Sequence, residues 1–151
     1  MGRLGCVLAC LLLARSLAAQ RGWDAQGQVM VLARDSVMVT AGAGAGIRLG
    51  RGLRVAATAG PGWIAPDRWA GRGEAIVAYH LYPMRPGGAG WYLGAGVAGE
   101  LTDGDLRGLM LLLLGVELHP WRGGGLFAEV GVGGGVRFAA GYRITKLATR
   151  R

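Results

Sequence analysis

Cysteine, serine and long apolar runs are what this chain has least of, and each shortage closes off a class of function. Its two cysteines, Cys6 and Cys10, both lie in the opening stretch MGRLGCVLACLLLARSLAAQ. That stretch has Arg3 as a short positive start, an apolar run from Leu4 to Ala14, and small residues at Ser16, Ala18 and Ala19. Such a layout is a secretory signal peptide, too short to cross a membrane as a helix. Cleavage is expected after Ala18 or Ala19. Val7 to Cys10 looks like a lipoprotein box, but the apolar run continues past Cys10, where such a box should end it, so no lipid anchor is assigned. The remaining chain of about 132 residues suits one domain, spanning 20–151, with neither disulfide nor thiol chemistry.

After residue 20 no window holds the ~18 apolar residues of a membrane helix. The greasiest run, Leu109 to Leu114, is bounded by Gly108 and Gly115 and reads as strand. Past the leader, Ser36 is the single serine, and His80 and His119 are the only histidines. Ser36 falls in a predicted turn at the opposite height from both histidines, so a serine–histidine nucleophile pair is not expected. His80 and His119 sit on segments four and six, both on the predicted lumen face. A metal site would need a third ligand such as Glu117 or Glu74, and the two histidines form no pair at i, i+2 or i, i+4. Gly94, Gly96 and Gly99 satisfy GxGxxG, but a turn follows where a nucleotide site needs a helix. No cofactor, metal or catalytic residue is expected.

Charge excludes little more. The chain has 17 basic and 9 acidic residues, and losing Arg3 and Arg15 with the leader leaves 15 against 9. Exported chains seldom meet nucleic acid, and the basic residues are scattered. Only Lys146, Arg150 and Arg151 gather, as a short C-terminal tail read as solvated.

What the chain has in quantity is glycine, 30 of 151 residues, in phase with apolar residues. Along Val37 to Leu49, Val37, Val39, Ala41, Ala43, Ala45, Ile47 and Leu49 alternate with Met38, Thr40, Gly42, Gly44, Gly46 and Arg48. Successive side chains on a strand point to opposite faces, so this is a strand with one greasy face. The same alternation marks Ala25 to Ala33, Leu53 to Gly60, Gly73 to Tyr82, Trp91 to Leu101 and Leu106 to His119. Leu126 to Ile144 is too long for one membrane strand of roughly 9–11 residues. It reads as two strands joined near Gly133–Gly135 or near Ala139–Ala140, which gives eight in total. Residues 61–72, PGWIAPDRWAGR, read as the longest connection, and Thr102 to Asp105 as a hairpin turn around the favoured Asp-Gly pair.

About ten alternating residues between turn signals is the signature of a transmembrane β-barrel. The greasy face is almost free of charge. The other carries Arg48, Arg54, Glu74, Glu100, Glu117, Glu129, Arg137 and Arg143, four of each sign, which points to ion pairs across a lumen. Counting strands puts Trp23, Trp91 and Trp121 near one end and Trp63 and Trp69 near the other, as two interfacial belts.

Leader, cysteine-free remainder and eight alternating segments together resemble the small outer-membrane β-barrels of the OmpA/OmpX type, over Ala25 to Thr145. That resemblance implies an all-β, eight-stranded antiparallel up-and-down transmembrane barrel with its lumen filled by side chains and ion pairs. It also implies location in the outer membrane, with outer-membrane lipids and the insertion machinery as partners. The expectation is a monomeric structural or surface-interaction protein without catalysis. A soluble secreted barrel or sandwich that binds an apolar ligand, and a narrow pore, remain the alternatives.

Overall fold

A computed structural model describes residues 21–49, 52–81, 88–120 and 123–147. The leader, Trp121, Arg150 and Arg151 lie outside the described residues.

Eight strands form: β1 (Arg21–Ala33), β2 (Val37–Leu49), β3 (Leu53–Ile64), β4 (Arg68–His80), β5 (Ala89–Thr102), β6 (Asp105–Leu118), β7 (Gly124–Val132) and β8 (Val136–Leu147). Each pairs antiparallel with its sequence neighbours, and β1 pairs with β8, so the sheet closes into a barrel in meander order. Strands turn over through two- or three-residue connections at one end. At the β5–β6 turn Asp103 and Gly104 both take positive φ, 53° and 91°, which is the conformation an Asp-Gly hairpin favours. Of the two candidate junctions in the last stretch, Gly133–Gly135 is the turn: Val132 pairs with Val136, and the Gly133 N–H donates to Gly135 O.

Two sequence expectations are corrected. The connection read over 61–72 shrinks to Ala65–Asp67, because β3 runs on to Ile64 and β4 begins at Arg68. Pro61 sits inside β3 and still pairs with Gly71 on β4. On the other side the β2–β3 ladder breaks between Thr40↔Gly62 and Ala43↔Ala59, where a proline has no N–H to offer. The basic tail also shortens: Lys146 belongs to β8 and lies over the Trp23 ring, 5.4 Å from its centroid.

The stagger follows from the register. Starting at Ala33 and stepping between partners, the path runs Val136, Val132, Leu112, Ala95, Val77, Val55, Ile47 and returns to β1 at Trp23, ten residues below its start. Ten residues of shear over eight strands set a tilt of about 40° and leave an interior that side chains can fill. Each residue then climbs about 2.5 Å along the barrel axis.

That slope fixes heights. Trp63 and Trp69 stand level with Ala33, packed edge to face at 5.3 Å. Trp23 and Trp91 stand about 25 Å lower at this climb, the height of the apolar band on an outer-membrane barrel. All four point outward, and the outward positions between them carry no charge; Val29, Val97, Leu112, Val130 and Phe138 are among the exposed apolar side chains there.

Candidate functional site

Glycine makes the room that the inward face needs. Tyr92 lies directly across from Gly115 and Phe127 across from Gly141. A Cβ at Gly115 would run into the Tyr92 ring, and one at Gly141 would press the Phe127 ring. The space so opened is filled by arginines and carboxylates. All eight charged residues singled out in the sequence are buried inside, joined by two more, Asp24 and Arg72. Among the described residues five arginines and five carboxylates therefore face one another, and every strand supplies at least one of them.

The lower cluster gathers around Asp24 and Glu117. Arg54 grips Asp24 with Nη2–Oδ1 at 2.6 Å and Nε–Oδ2 at 2.9 Å, and its Nη2 also donates to Gln26 Oε1 at 2.8 Å. Arg48 spans both acids, with Nη2 2.8 Å from Glu117 Oε1 and Nε 3.4 Å from Asp24 Oδ2. Arg143 donates from Nη1 to Glu117 Oε2 at 2.6 Å, and its guanidinium lies 4.3 Å from the Phe127 ring centroid. His80 meets the same carboxylate, Nε2 to Glu117 Oε2 at 3.3 Å, while its Nδ1 lies 3.3 Å from Gly52 O.

The upper cluster is built on Glu74. Arg137 holds it in two-pronged fashion, Nε–Oε1 at 3.0 Å and Nη2–Oε2 at 2.8 Å, and Arg72 Nε reaches Oε1 at 2.9 Å. Arg72 Nη1 lies 3.5 Å from Glu100 Oε2 and its Nη2 donates to Gly133 O. Across the mouth, Arg34 of the β1–β2 turn closes on Glu100 at 2.5 Å. Glu129 joins the clusters: Arg137 Nη1 lies 2.8 Å from its Oε2, Arg143 Nη2 lies 3.7 Å from its Oε1, and Tyr92 Oη donates to Oε1 at 2.7 Å.

Apolar inward residues close what the charges leave. Met30, Leu32, Met38 and Ile64 pack under the turns of β1 to β4, and Ile76, Tyr92, Leu111 and Leu113 pack at mid-height. Isolated charges here would be very costly, and direct pairing offsets that cost.

The two histidines part company. His80 is buried among the charges, but β6 ends at Leu118, so His119 is an exposed turn residue with φ 54° and not a lumen residue. Ser36 sits in the β1–β2 turn, at the other end of the barrel from His80. Asp24 and Arg72 lie just outside the alternating segments read from sequence. Extending the parity of Gln26 back two residues, or of Glu74 back two, would have found them.

A closed eight-stranded antiparallel barrel in meander order is the architecture of the small outer-membrane barrels, and the likeness read from sequence holds for the fold. No family model and no curated relative matches the chain. Among solved structures it resembles the N-terminal β-barrel domain of Pseudomonas aeruginosa OprF, at 16% identity over 85% of this chain and 97% of that one, TM-score 0.60. It likewise resembles OprG of the same organism, at 11% identity over 85% and 96%, TM-score 0.60. Neisserial surface protein A matches at 18% identity over 82% of this chain and 96% of its own, TM-score 0.56. At these identities the likeness is one of fold.

Proposed function

We propose that the chain is a monomeric outer-membrane barrel with a structural role, its lumen plugged by the arginine–carboxylate network and without catalysis. The observation that carries this is the balanced set, among the described residues, of five arginines and five carboxylates buried between the level of Trp63 and Trp69 and that of Trp23 and Trp91. An even strand number puts both chain ends on one side, which export and insertion would leave periplasmic. Outer-membrane lipids and the insertion machinery are then its partners. A surface-interaction role through long loops finds little support, since the four turns at the far end hold two or three residues each.

Planar-bilayer recording tests the plug. Folded wild type should show no steady conductance. Glu129→Ala, which removes the carboxylate joining the two clusters, should raise it. Steady conductance by the wild type would replace the plug with a pore.

A further inference from the structure

β6 is taller than its neighbour on one side only. Its pairing with β7 begins at Leu112↔Val132, whereas its pairing with β5 continues up to Thr102↔Asp105. The segment Asp105 to Leu111 thus has a strand on its β5 side and no described strand on the other. The ladder phase says which backbone groups that leaves open. His119 N–H donates to Gly88 O, so odd residues of β6 bond to β5 and even ones face the β7 side. The N–H and C=O of Leu106, Gly108 and Met110 therefore point away from β5, into the gap. Leu106 and Met110 are also the most exposed large apolar side chains described, at 75% and 80%.

Beneath this edge the outer wall carries a shallow, open furrow. The Gly133–Gly135 turn, flanked by Met110, Leu112, Val132 and Val136, floors an apolar depression of about 550 Å³. A second, of about 580 Å³, continues from Leu112 and Val132 down past Ala95, Leu114 and Val130. Gly108 stands level with the Trp63–Trp69 pair, so on the membrane reading the edge straddles the interface and the furrow descends into the apolar band.

We propose that this furrow and edge bind one lipid molecule whose acyl chain is attached through an amide. The chain would lie along the furrow and the amide against Leu106, Gly108 and Met110. The inference rests on the membrane reading above. Backbone donors and acceptors left open near hydrocarbon are costly, and an open strand edge there needs a partner. An ester linkage offers acceptors alone. An amide-linked chain bearing a hydroxyl offers donors as well, and so answers both kinds of group. A second copy in the same membrane orientation would bring its own β6 edge parallel to this one, not antiparallel.

Native mass spectrometry of the detergent-folded barrel tests this with ceramide 1-phosphate and phosphatidic acid of matched chain length. One ceramide phosphate per barrel should be retained at a concentration at least tenfold lower than phosphatidic acid. Gly108→Pro removes an N–H that β5 does not use, and space around Gly108 is open. Val132→Trp fills the furrow instead. Each should abolish the preference while the folded gel-mobility shift persists. Equal retention of both lipids, or a preference that survives both variants, overturns the proposal. So does a dimer lost in Gly108→Pro, which would give the edge to a second copy. A chain that stays soluble without detergent overturns the membrane reading itself.

Discussion

Arg54 and Asp24 form a two-pronged ion pair across β2, from the inward faces of β3 and β1, at 2.6 and 2.9 Å, with both side chains essentially sealed from solvent. Asp24 has 0% exposure and also faces Arg48 and Arg143. Asp24→Asn keeps the shape but leaves three guanidiniums short of a charge. Removing one partner of a buried pair costs about 3–5 kcal/mol. The unfolding midpoint in denaturant, measured on barrels folded in lipid, should fall accordingly. An unchanged midpoint would mean that water, not Asp24, neutralises this cluster.

Gly115 gives a second expectation. The Tyr92 ring occupies the place a side chain would take, so Gly115→Val should destabilise by about 1–3 kcal/mol through overpacking. In a Tyr92→Ala background the same substitution should be nearly neutral, because contacting residues do not add independently. Additive losses in the double variant would place the strain elsewhere.

The outer face distinguishes membrane from water directly. Val29 lies near mid-height on β1, and Val37 lies close to the upper tryptophan ring on β2. Arginine at the first should cost about 2–4 kcal/mol and at the second about 0–1 kcal/mol, if hydrocarbon surrounds the barrel. Denaturant titrations of the two variants in lipid vesicles read the difference. Equal, small losses at both positions would favour the soluble alternative.

Much of this fold is legible in the chain because period-two alternation survives even where glycine replaces the polar residue. Val37 to Leu49 was bounded correctly as β2, and the Asp103-Gly104 turn announced itself. The losses came at ends and at proline. The first alternating segment begins at Ala25 whereas β1 begins at Arg21, which leaves Asp24 outside the pattern. Pro61 and Pro66 made 61–72 look like a loop, which hid Arg72. A proline can sit in a strand when it costs the ladder a single bond, and composition alone does not reveal that.

The partners of each charge were less accessible still. Which arginine meets which carboxylate depends on the ten-residue stagger, a property of closure and not of any local pattern. Glu74 meets Arg137 because β4 and β8, four strands apart in the sheet, stand opposite each other once it closes. Nothing near either residue in sequence announces the meeting.

The distribution of the network over all eight strands bears on how the barrel comes to exist. In an open sheet every inward arginine and carboxylate still faces water, so none carries the full desolvation cost, and the pairs that span the lumen, such as Arg48–Glu117 and Arg137–Glu74, are not yet made. Both change together when β8 docks on β1, since Arg137 and Arg143 on β8 bind acids on β4, β6 and β7. The last strand made is thus the clasp. A barrel missing it would leave Glu74, Glu117 and Glu129 short of counter-charges, which disfavours half-closed forms and makes assembly close to all-or-none.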